Sequence, residues 1–251
     1  MTKLHANWPS PSNVKAFTTL RHSGFSKIPF DSNNLAAHVG DNPDAVSLNR
    51  QQLRKELGTT QEPAWLEQIH SNVCVVTEED NNRVADAAIT RTARQPLAIL
   101  TADCLPILLC NQEGNEIAAI HAGWRGLVNG IVENTLARIK SAPDKLMAWI
   151  GPAICQSCYE TGPEVLESYQ KRYPFATQEF RPIGEKWHAN LAKLAERILN
   201  YSGVTAVYQS NSCTFEQKND FYSYRRESQT GRMATLIWFT ETFGNKQYDY
   251  D

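Results

Sequence analysis

Three short segments of this 251-residue chain place metal-binding or nucleophilic side chains directly after apolar runs. They are Trp65-Leu66-Glu67-Gln68-Ile69-His70-Ser71, Leu100-Thr101-Ala102-Asp103-Cys104-Leu105-Pro106 and Ala119-Ile120-His121-Ala122-Gly123-Trp124-Arg125-Gly126. Loops at strand ends are where a rigid sheet presents functional groups. His70, Cys104 and His121 make a set of two imidazoles and one thiol. Zinc accepts that set. Three protein ligands leave the fourth tetrahedral position for water or substrate, the pattern of a catalytic rather than a structural ion. Cu2+, which outcompetes zinc at most such sites, would bind it too. The separations of 34 and 17 residues are not those of a local zinc finger. Spacing alone favours a plainer reading: hydrogen-bonded histidines at the edge of a core and a small buried thiol. Asp103, beside Cys104, is a candidate to orient a ligand histidine or to carry a proton.

Cations cluster near these segments. The Gly-containing turn after His121 leads into a helix, so backbone N–H groups and the Arg125 guanidinium would suit an anion. Ser223-Tyr224-Arg225-Arg226 interleaves an aromatic ring with two guanidinium groups, a pattern able to grip a base and a phosphate. Arg50 lies beside an apolar helix stripe, either snorkelling or reaching into a pocket. A solvated turn or surface face is the alternative at each place. Cys155-Gln156-Ser157-Cys158 has the C-x-x-C form without a second pair, so a structural zinc there would have to recruit distant ligands. A redox pair fits the preceding Gly151-Pro152, but two reduced thiols are the favoured reading. Cys74, Cys110 and Cys213 read as packing residues, and His5 and His188 carry no role.

The elements that must position these groups alternate between short apolar strands and amphipathic helices. Strands are expected at 14–19, 64–69, 73–77, 96–101, 106–110, 116–121, 146–151, 204–209 and 234–239. Helices are expected at about 44–57, 126–140 and 188–202, with a weaker one after Pro163. Their inward stripes are Val46, Leu53 and Leu57; Leu127, Ile131, Leu136 and Ile139; and Leu191, Leu194, Ile198 and Leu199. The pattern predicts an α/β or α+β layered sandwich, one domain over 1–251 with a flexible tail from about 240. At 41% hydrophobic residues, disordered and fibrous classes are excluded. A net charge of -2 supplies no global attraction to nucleic acid or an anionic membrane. No run approaches the roughly 20 apolar residues of a membrane span, and the first residues lack a secretory apolar region. A cytoplasmic protein with reduced cysteines is the expectation, and a monomer.

The motifs together carry a resemblance. Asn34-Leu35-Ala36-Ala37-His38-Val39-Gly40-Asp41, Asn49-Arg50, the three segments above, Ile150-Gly151-Pro152, Tyr159-Glu160, Cys213-Thr214, and Ser223-Tyr224-Arg225-Arg226 with Gly231-Arg232 run in order through nearly the whole chain. This set resembles a bacterial family once labelled polyphenol oxidoreductase (laccase). The family was later described as purine nucleoside phosphorylase and, in its enteric members, as a peptidoglycan-editing factor. The resemblance implies a single-domain sandwich of mixed β-sheets flanked by helices, related to the catalytic domain of a deamidating cytotoxin. It implies zinc held by His70, Cys104 and His121, and phosphorolysis of adenosine, inosine and methylthioadenosine, with adenosine deaminase activity besides. The catalytic set is then His70, Cys104, His121 and Asp103. Asn34, His38, Arg50, Arg125, Ser223, Arg225 and Arg226 stand as candidate nucleoside or phosphate contacts. The sequence departs from the family pattern at Ser23, where a glycine is usual, at Thr161, and at Asn190, where an aspartate is usual. Two other chemistries stay open. One is a Cys-His hydrolase or amidase editing a peptidoglycan precursor, with Cys104 as nucleophile and His121 as base. The other is a copper-dependent phenol oxidase, against which stand only six histidines and no His-x-His pair.

Overall fold

The computed structural model describes residues 1–59, 61–93 and 95–240. The predicted tail therefore lies almost wholly outside the described residues. The strands are β1 (Lys3–His5), β2 (Val14–Thr19), β3 (Cys74–Val76), β4 (Ala87–Thr90), β5 (Leu97–Thr101), β6 (Leu105–Asn111), β7 (Ile117–Ala122), β8 (Leu146–Ile150), β9 (Glu160–Thr161), β10 (Phe180–Ile183), β11 (Lys186–Ala189), β12 (Ala206–Gln209) and β13 (Met233–Phe239). The helices are α1 (Pro43–Leu57), α2 (Trp124–Val128), α3 (Ile131–Arg138), α4 (Pro163–Arg172) and α5 (Leu191–Tyr201). Local chemistry explains the clearest of them. Asn42 caps α1 by accepting from the Asp44 and Ala45 amides, Pro43 opens its first turn, and Gly58 closes it in a left-handed conformation at φ 65°. Asn190 caps α5 by accepting from the Lys193 amide, so the residue that departs from the family pattern still starts the helix.

Three sheets form. A mixed sheet has the order β12-β8-β6-β7-β4-β3, a second sheet the order β1-β2-β13-β5, and a small one the order β10-β11-β9. Every residue of β6 and β7 is buried, as expected of strands covered on both faces. Leu108, Cys110, Ala119 and Trp149 of the mixed sheet meet Val14, Leu97, Ile99 and Ile237 of the second sheet. The second sheet's far face packs Phe17, Leu100 and Leu236 against Leu53 and Leu57 of α1. The mixed sheet's far face packs Ile107, Leu109 and Ile120 against Ile131, Leu166, Tyr169, Leu194 and Ile198 of α3, α4 and α5. The layers are helix, antiparallel sheet, mixed sheet, helices, which bears out the expected α/β class, although only one of the two packed sheets is mixed.

Three expectations need correction. Residues 64–69 make no strand; Ala64 and Glu67 form only isolated bridges, to Leu97 and Val84. The Gln68 side chain there takes both backbone groups of Leu100, donating to its carbonyl and accepting from its amide, each at 2.8 Å. The helix expected over 126–140 breaks into α2 and α3 at Gly130, whose φ of 91° interrupts the turn. A Cβ at Gly130 would run into the Arg172 guanidinium. Leu136 and Ile139 are only half-buried as a result. The third helix starts at Leu191, because Lys186–Ala189 pairs as β11 instead. Ser23 adopts the left-handed region at φ 64°, so the loop keeps there the conformation a glycine would favour.

Candidate active site

One end of the mixed sheet gathers the predicted trio. In the β6–β7 register Leu105 lies opposite Ala122, so the start of β6 and the end of β7 are neighbours. Cys104 sits in the tight link from β5 to β6, and His121 is the penultimate residue of β7. His70 comes from the loop beyond Gln68, with φ at 60°. Its Nε2 is 3.7 Å from Cys104 Sγ, and its ring centroid is 4.8 Å from that of His121. Gly123 makes this approach possible, since a Cβ there would lie 2.8 Å from the His70 ring and 3.3 Å from Cys104 Sγ.

A carboxylate absent from the sequence expectations holds both histidines. Asp86 is fully buried just before β4. Its Oδ1 accepts from His121 Nδ1 at 2.8 Å and from the His70 amide at 3.0 Å. Its Oδ2 accepts from the Ile69 and Ser71 amides and the Ser71 hydroxyl. Burial alone would raise the Asp86 carboxyl, but hydrogen bonds from His121 and Ser71 hold it below its ordinary value. With Nδ1 occupied, His121 turns Nε2 toward the thiol. Burial also opposes ionisation of Cys104, yet the His121 charge and hydrogen bonds from both imidazoles bring it down to about 6. His121 is pushed down by burial and up by the Cys104 thiolate and Asp86, ending at about 9.

The donor atoms of His70, Cys104 and His121 lie within 4.8 Å of one another. Four-coordinate zinc with nitrogen and sulfur ligands has donor–donor edges of roughly 3.3–3.6 Å. The trio therefore fits an ion with only small shifts. A cavity of about 390 Å³ opens beside it, lined by the three donors and by His38, Gln68, Tyr224 and Arg232 among others. The imidazole of His38 is held below its ordinary value by partial burial and by the charges of Arg232 and Arg50.

Other candidates are placed differently. Asp103 does not orient a ligand histidine. At φ 88° it accepts from the Thr214 hydroxyl at 2.6 Å, the Ser223 hydroxyl at 3.0 Å and the Arg225 amide at 2.7 Å, which fixes the turn carrying Cys104. Ser223, a candidate nucleoside or phosphate contact, is thus a buried brace of that turn and does not line the cavity. Asn34 is buried as well; it bonds Ala36 and Asp41 and accepts the Arg232 amide, shaping the His38 loop. Arg226 gives its guanidinium to the carbonyls of Thr214, Phe215 and Phe221. Arg225 stacks on Tyr159 and donates to the Glu160 carbonyl. Arg50 stacks on Trp65 at 4.2 Å and donates twice to the Leu35 carbonyl. Arg125 is exposed, stacked on Trp124, and does not line the cavity. The cation that does line it is Arg232, held by the Thr230 and Gly231 carbonyls; its only sequence signal was its place after Gly231. A second donor group, Cys155, Cys158, Cys213 and Glu216, is also able to hold a metal ion. Cys213 is buried, in line with its reading as a packing residue, and its thiol also belongs to this donor group.

A family model described as multi-copper polyphenol oxidoreductase laccase matches residues 15–240. A Haemophilus influenzae protein named purine nucleoside phosphorylase is 43% identical over 243 residues, covering 95% of this chain and all of that one. The Escherichia coli K12 protein named purine nucleoside phosphorylase YfiH is 42% identical over 241 residues, covering 95% and 99%. The crystal structure of Neisseria meningitidis protein NMB0706 is similar at a TM-score of 0.91 and 43% identity, over 95% of this chain and 99% of that one. YlmD from Geobacillus stearothermophilus is similar at a TM-score of 0.89 and 29% identity, over 96% and 97%.

Proposed function

We propose, from the premise that this chain belongs to the multi-copper polyphenol oxidoreductase laccase family, that it is a purine nucleoside phosphorylase centred on His70, Cys104 and His121. Adenosine, inosine and methylthioadenosine are its substrates, and adenosine deamination is a second activity of the same site. The observation that carries the reading is the meeting of three metal donors at a cavity that also holds an aromatic ring and a cation. Relatives at 42–43% identity bear the phosphorylase name.

In phosphorolysis a phosphate oxygen forms a bond to ribose C1′ as the bond from C1′ to the purine nitrogen breaks. His70, Cys104 and His121 would hold zinc, which when bound supplies Lewis acidity toward an oxygen of phosphate or substrate. Arg232 holds the anion by charge. Tyr224 offers its ring face to the base. His38, kept neutral, has a nitrogen available to accept or return a proton at the purine. Asp86 keeps His121 in the tautomer that points Nε2 inward, and Asp103 holds the Cys104 turn against the pull of an ion. Multi-copper chemistry finds less support. Among the described residues only one donor group able to hold a metal contains histidine.

One observation favours a second reading. Asp86, His121 and Cys104 line up as orienter, base and nucleophile, the order of a cysteine hydrolase. Purified protein incubated with adenosine, with and without phosphate, separates the readings. Free adenine with ribose 1-phosphate, formed only when phosphate is present and lost on chelation, supports the first. No nucleoside turnover, together with amide hydrolysis that survives chelation, would replace it with the second.

A further inference from the structure

β8 and β12 are parallel neighbours, with Gln209 opposite Ile150, so the loops that follow them leave the sheet side by side. Cys155 and Cys158 lie in the first loop and Cys213 and Glu216 in the second. The loops are stitched together. Thr214 donates its amide to the Ala153 carbonyl, and the Cys155 amide donates to Cys213 Sγ at 3.3 Å. The Cys158 thiol faces Glu216 Oε1 at 3.5 Å, and the Ser157 hydroxyl reaches the same oxygen at 3.4 Å. The four donor atoms all lie within 4.8 Å of one another. None of the four lines the cavity beside Cys104, and the proposed reaction uses none of them.

We propose that Cys155, Cys158, Cys213 and Glu216 form a second metal site, one that binds zinc as a structural ion joining the loops after β8 and β12. Two thiols in C-x-x-C spacing with two donors from a distant loop are how a short turn is closed on zinc. Three thiolates and a carboxylate complete a tetrahedral set, so no position is left for substrate. The N–H of Cys155 on Cys213 Sγ supports the sulfur's negative charge once the ion displaces the thiol protons. A pairing of Cys155 with Cys158 alone would instead leave Cys213 and Glu216 facing a disulfide with nothing to bind.

The ion would also brace the active site from outside. Thr214, next to Cys213, donates to Asp103, and Ile154, next to Cys155, donates its amide to the Asp103 carbonyl at 3.1 Å. Both loops therefore meet at the turn that carries Cys104. The site is independent of the reaction proposed above, and its test reads the two metal positions separately.

Protein purified under reducing conditions, given excess zinc and desalted, is assayed for zinc per chain. Two ions are expected in the wild type, and one in the double variant Cys155→Ser/Cys158→Ser. His121→Ala should lose the other ion, and the triple variant both. Reconstitution with cobalt(II) tells the positions apart, because thiolate-to-cobalt charge-transfer absorption should persist in His121→Ala and shrink in the cysteine variant. Should the variants unfold, the wild type alone suffices: zinc should slow alkylation of Cys155 and Cys158, mapped by peptide mass spectrometry, and a chelator should restore it. A single ion that His121→Ala removes and Cys155→Ser/Cys158→Ser retains would overturn the proposal. So would alkylation of both thiols at one rate with and without zinc.

Discussion

Two donor clusters sit at the same end of one mixed sheet, and they are built for different ends. The first uses the start of β6 and the end of β7, strands buried at every residue. It spends two nitrogens and one sulfur, leaves a position open, and faces a cavity of about 390 Å³. Behind it stands Asp86, a carboxylate with five donors. The second hangs on loops beyond β8 and β12 and offers three sulfurs and an oxygen, enough donors to complete a tetrahedral set. Its supports are backbone contacts between the loops rather than a buried carboxylate. What separates a reactive centre from a staple here is not the presence of cysteine. It is the vacancy in the donor set and the rigidity of what holds it.

The largest expected effect comes from removing the sulfur of the first cluster. Cys104→Ala should lower phosphorolysis by about three decades or more, since Lewis-acid stabilisation is worth several kcal/mol and about 1.4 kcal/mol is tenfold. Zinc at the cysteine cluster should stay. Activity within tenfold of wild type, with the first ion still bound, would break the contrast. Asp86→Asn comes next. It leaves all three ligands in place but weakens the carboxylate behind the histidines, so affinity for the first ion should fall about 10–100-fold. Competition against a chelator measures this, and an unchanged first site would mean that Asp86 only stabilises the loop.

The first cluster was partly legible in the sequence and the second was not, and the illegible parts have a common cause. Cys104 and His121 could be picked out because strand ends are visible as composition; His70 follows an apolar run that makes no strand, and only the family resemblance joined the three as a ligand set. α1 was legible through Pro43, its apolar stripe and Gly58. Asp86 was not, because it precedes a strand of only four residues, Ala87–Thr90, with no pattern around it. Its role depends on strands that meet it from 35 residues away. Cys213 pairs with Cys155 across 58 residues, through a parallel strand contact that spacing cannot express. The arginines misled for a related reason. A guanidinium that satisfies three carbonyls, as Arg226 does, is indistinguishable in sequence from one awaiting a phosphate.

Arg232 and Arg125 turn that lesson into a smaller test. Arg232 lines the cavity, whereas Arg125 rests exposed on Trp124. A charge-assisted hydrogen bond contributes roughly 1.5–3 kcal/mol, so Arg232→Ala should raise the phosphate KM by about one to two decades. Arg125→Ala should leave it within about threefold, as expected of surface changes. Steady-state kinetics with phosphate varied decides between them. The reverse order would move the anion site out of the cavity and onto the turn after His121.

The smallest effect on activity is expected at Glu116, which isolates what Asp86 does for function from what a buried carboxylate does for the fold. Glu116 is 3% exposed and, like Asp86, is surrounded by donors: the Arg91 guanidinium, the Lys140 and Ser141 amides and the Ser141 hydroxyl. No metal-ligand histidine leans on it. Burial would raise its carboxyl, but these bonds and the Arg91 charge hold it below the ordinary glutamate value. A folded-state value below the unfolded one stabilises the protein in full above the unfolded pKa of about 4.3. That contribution is lost as pH falls through the lower folded value. Glu116→Gln turns an amide NH2 toward donors, so it should cost about 1–3 kcal/mol at neutral pH. Each kcal/mol should lower Tm by about 2–4 °C in a chain of this size. The gap from wild type should narrow as pH falls below the unfolded value of about 4.3 and on through the lower folded value. Phosphorolysis and zinc content should match wild type at a temperature where both proteins are folded. Thermal melts between neutral and acid pH, read beside zinc assays of the same samples, check both halves. If Glu116→Gln loses zinc as Asp86→Asn does, the two carboxylates act through general stability, and Asp86 has no special hold on the histidines.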